Sequence, residues 1–154
     1  MHIHSLLKTD MNDWMLFDAS IQTNLINMYN KCGRFDICKE IFAEFIEGES
    51  QVHNISVWIA MIQCYGDDGD LRSAQLLYTK LRGSDMKADK NTFAIMINIC
   101  AHFGESDQAI HIWENEICDD RVKFDDYIIA AMVSVYSKNG MIDRAQEMMQ
   151  MQSK

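Results

Sequence analysis

The residues of this chain that could carry chemistry are scattered, and most miss the spacing their chemistry requires. His2 and His4 stand two apart, so on a helix they point to different faces and make a poor metal pair. In His111-Ile-Trp-Glu114 the histidine and the glutamate are one residue too far apart for the H-x-E of a zinc deaminase, and the sequence holds no P-C-x-x-C to complete such a site. That stretch reads as a helix surface. The five cysteines (Cys32, Cys38, Cys64, Cys100, Cys118) are odd in number and never form C-x-x-C. They are expected to be small packing residues in a reducing compartment, with no disulfide framework or zinc knuckle. Asn54-Ile-Ser56 matches a glycosylation sequon, but nothing else in the sequence points to secretion. Of the twelve methionines, Met61, Met96, Met132, Met148 and Met149 fall at packing positions, which predicts a core role. No catalytic residue, metal site or cofactor is expected, and the chain does not read as an enzyme.

One polar column does stand out. Asp18, Asn54, Asp89 and Asp125 each stand fifteen residues before a glycine (Gly33, Gly69, Gly104, Gly140). Carboxylates and amides at such places suit a helix N-terminus, where they accept hydrogen bonds from free backbone N–H groups and oppose the dipole. Two roles stay open for the column, capping alone and contact with a ligand.

The elements that must position this column follow from a repeat. The four glycines are spaced by 36, 35 and 36 residues. Seven residues before each stands Ile26, Ile62, Ile97 or Val133, and eight before stands Leu25, Met61, Met96 or Met132. Five after comes a small residue (Cys38, Ala74, Ala109, Ala145), and nine after a large one (Phe42, Tyr78, Trp113, Met149). Chance does not match that many columns. Ahead of each glycine the apolar residues recur at helical spacing, as in Trp58, Met61, Ile62 and Tyr65, while Gln22 opens the first copy in place of an apolar residue. The glycine suits a left-handed residue just past a helix end. A second stripe follows it, as in Cys38, Ile41, Phe42 and Phe45; in the third copy this stripe slips, with Ile117 taking over from Glu116. Each unit is thus predicted to be two helices, the small residue permitting close approach and the large one filling the gap beside it.

The expected organisation is a single repeat array over 1–154. Residues 1–18 hold the second helix of a truncated unit (Ile3, Leu6, Leu7), whole units span 19–54, 55–89 and 90–125, and 126–154 is an incomplete unit. A solenoid usually carries polar caps, and none is evident, so the chain reads as a segment of something longer. A hydrophobic fraction of 48% supports a core, and no apolar run reaches the about 18 residues of a membrane span. Absence of proline and only 7 glycines disfavour a turn-rich β fold. The fold class predicted is all-α.

Particular residues resemble a known family. Asn54-Ile-Ser-Val-Trp-Ile-Ala-Met-Ile62 is similar to the V-V-S-W-N-A-M-I opening of pentatricopeptide repeats. Asn24-Leu-Ile-Asn-Met-Tyr-Asn-Lys-Cys-Gly33 resembles their A-L-I-D-M-Y-A-K-C-G, and Asn91-Thr-Phe-Ala-Ile-Met-Ile-Asn-Ile-Cys-Ala-His-Phe-Gly104 their V-T-F-x-x-V-L-x-A-C-A-H-L-G. His2-Ile-His4 with Ser5-Leu-Leu-Lys8 is similar to G-K-Q-I-H-A-H-L-L-K of the longer motif in plant-type arrays. The resemblance implies a right-handed superhelix of antiparallel helix pairs that binds single-stranded RNA, one base per repeat. It further implies organellar RNA processing, modification or C-to-U editing in a mitochondrion or plastid, with RNA-processing proteins as further partners and no membrane or small-molecule substrate.

The family's specificity positions are the fifth and last residues of each motif. Here they fall on Thr23 with Asn54, Ile59 with Asp89, Ala94 with Asp125, and Ala130 in the incomplete unit. Thr23 with Asn54 resembles the family's adenine-preferring pair, whereas Ile59 and Ala94 cannot hydrogen-bond a base and would read weakly or space the strand. The second motif position holds Ser20, Ser56, Asn91 and Tyr127, of which only Tyr127 offers a stacking face. The loop proline of the usual Lys-Pro-Asp is replaced in Lys87-Ala-Asp89 and Lys123-Phe-Asp125. A net charge of −9, with Asp67-Asp-Gly-Asp70 and Asp119-Asp120, sets a field against a polyanion. Lys31 and Lys138 share a column two before the glycine, but Asp67 and His102 interrupt it. The competing expectation is therefore a tetratricopeptide-like protein scaffold whose acidic groove takes a basic partner.

Overall fold

A computed structural model describes residues 18–47, 54–117 and 126–152, which contain helices and turns and no strands. Residues 1–17 of the expected 1–18 segment, Asp119–Asp120, Cys118 and Asp125 lie outside the described residues. Four helix pairs follow one another: α1 (Ala19–Lys31) with α2 (Phe35–Glu47), α3 (Ile55–Asp68) with α4 (Leu71–Arg82), α5 (Lys90–Phe103) with α6 (Ser106–His111), and α7 (Asp126–Lys138) with α8 (Ile142–Gln152). They form two compact units, Met1–Lys87 and Ala88–Lys154.

Each pair is joined by the same turn. Gly33, Gly69, Gly104 and Gly140 all have positive φ, between 69° and 83°. In the first, the Gly33 N–H donates to the Asn30 carbonyl at 3.0 Å and the Arg34 N–H to the Tyr29 carbonyl at 2.9 Å. This 5→2 and 6→1 pair is the Schellman closure, which satisfies helix carbonyls that would otherwise lack donors. Gly69 with Asp70, Gly104 with Glu105 and Gly140 with Met141 repeat it. A Cβ built on Gly69 would meet no atom within 4 Å, so the requirement for glycine there is one of backbone conformation, not of space.

Helix starts are set by side chains. Asp18 Oδ1 accepts from the Ser20 N–H at 2.7 Å, and Asn54 Oδ1 from the Ser56 N–H at 3.0 Å. Asp89 and Thr92 make a reciprocal capping box. Asp70 opens α4 by accepting from the Ser73 N–H at 3.1 Å and the Ser73 hydroxyl at 2.6 Å, which holds its carboxyl below the usual aspartate range.

In the first unit α1 packs on α2 and α3, and α3 also on α2 and α4. Three neighbours bury more of α3 than one stripe: Val57, Ala60 and Cys64 are inside together with Trp58, Met61 and Ile62. The rings of Phe42 and Trp58 meet edge to face at 5.5 Å, tying α2 to the following helix; such pairs contribute about 0.5–1.5 kcal/mol beyond area burial. In the second unit α7 packs on α5, α6 and α8, with Met96, Ile97, Cys100, Met132, Val135 and Tyr136 in its core.

The slip in the third stripe has a structural form. Ile112–Glu116 is a π-helical turn, closed by the Ile117 N–H donating to the Ile112 carbonyl at 3.2 Å. The wider turn takes up one extra residue, and Glu116 and Ile117 are both half-buried behind it.

Three expectations about packing need correction. Cys38, Cys64 and Cys100 are fully buried, but Cys32 is exposed because it ends α1 at the turn, outside the stripe. Met149 is 56% exposed. Its counterpart Phe42 is covered by the first helix of the next pair, and no further helix follows α8 among the described residues. Trp113, Leu25 and Val133 are half-buried, not core.

Candidate nucleic-acid interface

The first helices of the four pairs carry matching residues at their starts. Ser20, Ser56, Asn91 and Tyr127, the second residues of α1, α3, α5 and α7, are all exposed, and Tyr127 is 70% exposed. Three residues further on stand Thr23, Ile59, Ala94 and Ala130, half-buried in the first three helices and exposed in the fourth.

Thr23 and Asn54, one expected pair, line one recess of about 200 Å³ with Ala19, Ser20, Asn24 and Ser56. The packing of α1 on α3 makes this recess, since it sets the start of α3 beside the first turns of α1. Its lining is amide and hydroxyl without formal charge. The volume is below the about 300 Å³ at which small-molecule pockets begin.

Local hydrogen bonds decide what each side chain has left to offer. The Thr23 hydroxyl donates to the Ala19 carbonyl at 2.7 Å, so its only proton is used and its oxygen can accept. Asn54 Oδ1 faces a backbone N–H, which can only donate; this fixes the amide orientation and leaves the Asn54 NH₂ as donor. The recess therefore shows an acceptor and a donor from two different helices.

The other expected residues are placed differently. Ile59 lies on α3 in the first unit, and Asp89 caps α5 in the second. Asp89 Oδ1 accepts from the Thr92 N–H at 2.9 Å and from the Thr92 hydroxyl at 2.8 Å. Ala94 is on α5, and its expected partner Asp125 lies outside the described residues. Capping is thus observed for Asp18, Asn54 and Asp89.

The acids of Asp67-Asp-Gly-Asp70 have structural partners. Asp67 accepts from Asn30 at 2.7 Å and from Gln63 at 2.9 Å, and Asp68 pairs with Lys39 at 2.7 Å. The Lys39 ammonium also lies 5.4 Å from the centroid of the Tyr65 ring. These contacts fasten the first hairpin to the second. Sequence reading missed Asn24, which has no counterpart at the matching positions Ala60, Ile95 and Ala131. Among the described residues no group of three or more His, Cys, Asp or Glu could hold a metal, and no helix is long and apolar enough to cross a membrane.

Paired antiparallel helices joined by a glycine turn, repeated at one period, define an all-α helical-repeat solenoid. The family model of the PPR repeat matches residues 23–48, 56–86 and 130–151, about half of the chain. The chain belongs to the PPR, or pentatricopeptide repeat, family. It is 32% identical over 105 residues to the pentatricopeptide repeat-containing protein At5g55740, chloroplastic, of Arabidopsis thaliana, covering 68% of this chain and 12% of that one. It is 29% identical over 134 residues to At2g46050, mitochondrial, of the same plant, covering 84% and 21%. The chain thus spans a quarter or less of the curated relatives it matches. The crystal structure of the maize pentatricopeptide repeat protein PPR10 superposes with a TM-score of 0.73 at 19% identity, over 94% of this chain and 20% of that one. PPR10 has also been solved in complex with an 18-nt psaJ RNA element; that structure matches with a TM-score of 0.66 at 16% identity, over 88% and 21%.

Proposed function

We propose that this chain binds single-stranded RNA along the first helices of its pairs, one base per repeat. In this reading it places RNA for organellar processing, modification or C-to-U editing and performs no catalysis of its own. The observation that carries the reading is the recess holding Thr23 and Asn54 with one free acceptor and one free donor. Adenine presents the complement on its Watson–Crick edge, an amino donor at N6 beside a ring acceptor at N1. Family membership and the RNA bound by PPR10 support the partner class. Ile59, Ala94 and Ala130 offer no hydrogen bond, so those repeats space the strand or pack on it, with the exposed Tyr127 ring and the cap Asp89 as further contacts. Asp125 is assigned to the third pair by the family pattern.

Equilibrium binding to short randomised single-stranded RNA, with double-stranded DNA as control, tests the reading. Selective binding with an adenine preference at one position is expected. Thr23→Asn with Asn54→Asp, the family's uracil-type pair, should move that preference to uracil; an unchanged preference would refute the pair's role. The net charge of −9 favours one second reading, a groove for a basic protein. Capture of a basic peptide in place of RNA would select it.

A further inference from the structure

Thr23 and Asn54 leave one ambiguity. An acceptor beside a donor complements adenine, but cytosine carries the same order of groups, an amino donor at N4 beside a ring acceptor at N3. A contact beyond the amino group, where the two bases differ, therefore sharpens the adenine preference that the pair's family resemblance implies.

Asn24 stands in the same recess. It is exposed, next to Thr23 in sequence, and one helical turn beyond Ser20 on the same face of α1. Its amide makes no hydrogen bond with another described residue, whereas Thr23 and Asn54 are both held by backbone groups. An amide has one acceptor and two donor hydrogens in a plane, the pattern that pairs bidentately with N6 and N7 of adenine. Cytosine has a C–H where adenine has N7, and offers no such edge. The N6 amino group has two hydrogens, so one can go to Thr23 Oγ1 and the other to Asn24 Oδ1.

Resting on the RNA-binding reading above, we propose that Asn24 is a third specificity residue of the first repeat. It reads the N6 and N7 edge of the adenine whose Watson–Crick edge meets Thr23 and Asn54. Asn24 then sharpens the selection of adenine over cytosine, and among the described repeats this one alone has the device, because Ala60, Ile95 and Ala131 occupy the position elsewhere.

The experiment measures dissociation constants for one RNA carrying adenosine, cytidine, 7-deazaadenosine or 2′-deoxyadenosine at the selected position. Wild-type chain is compared with Asn24→Ala and with Thr23→Asn/Asn54→Asp. Asn24 is exposed on a helix and alanine favours helix, so the single variant should fold; circular dichroism checks this. The wild type is expected to lose about 5- to 10-fold on 7-deazaadenosine, the low end for a bidentate contact to a base edge. Asn24→Ala should bind adenosine more weakly by a similar factor, lose nothing further on 7-deazaadenosine, and discriminate less against cytidine. An Asn24→Ala variant that keeps the 7-deazaadenosine loss and an undiminished preference over cytidine overturns the assignment. Sensitivity to 2′-deoxyadenosine that disappears in Asn24→Ala, without any effect of N7, also overturns it by moving Asn24 to the sugar. In either case an adenine preference that still depends on Thr23 and Asn54 leaves the one-base reading standing. A wild type with no base preference at any position refutes that reading, and Asn24 with it.

Discussion

Single side chains join the helices of this protein, and protonation exposes what they contribute. The buried Tyr136 hydroxyl donates to Glu114 Oε1 at 3.1 Å, linking α7 to the π-helical turn. Burial, with the Glu114 carboxylate second, pushes its pKa up to about 12. The folded state therefore holds this proton more tightly than the unfolded chain, whose tyrosines titrate near about 10. Its contribution is complete below pH about 10 and is lost as pH rises towards 12. Urea titrations at several alkaline pH values should show stability falling through that window, with a smaller fall in Tyr136→Phe. An identical fall would place the alkaline sensitivity elsewhere. Asp70 behaves in the opposite sense: its lowered pKa gives stability that is present above the unfolded value near about 3.9 and lost as pH falls through the folded one. Asp70→Ala should cost about 1 kcal/mol at neutral pH through loss of the α4 cap.

Within each hairpin, one left-handed glycine sets the geometry. Gly69 has φ +83° with nothing near a prospective Cβ, so Gly69→Ala should destabilise by about 1–2 kcal/mol, the cost of left-handed backbone. Thermal unfolding measures it, and Gly69→Asn should recover part, since asparagine tolerates that conformation. A loss well above this range would mean the turn is held by contacts. The joint between the first two hairpins depends on Trp58, buried against Phe42. Trp58→Ala removes a large core ring and should cost about 3–5 kcal/mol in chemical denaturation. A cost under 1 kcal/mol would show that the two hairpins are joined chiefly by the Asn30–Asp67 contact of α1 with α3 and the Lys39–Asp68 contact of α2 with α3.

Charge acts on the whole molecule. A net charge of −9 opposes any polyanion, and of the column two before each glycine only Lys31 and Lys138 are lysines, both exposed. If each neutralises one phosphate, the slope of log affinity against log salt for single-stranded RNA should be about −1.4. Titrations between low and moderate salt give this slope directly. A much steeper one would mean that cations elsewhere hold the backbone, and that affinity is not chiefly base contact in the recess.

The repeat, the helix pairs, the left-handed glycines, the caps and the slip ahead of Ile117 were all legible in the residues alone. Each is local: backbone preference at Gly33 or Gly69, a side chain reaching its neighbour's N–H at Asn54 or Asp89, or apolar spacing within one helix. Stacking of one hairpin on the next is not local, and it decided the rest. It buried Val57, Ala60 and Cys64 on a second side of α3. It brought Asn24 into the recess of Thr23 and Asn54. The Thr23 bond to the Ala19 carbonyl, seen only in three dimensions, used the Thr23 proton as the cap used the Asn54 carbonyl, and together they left one acceptor and one donor facing the recess.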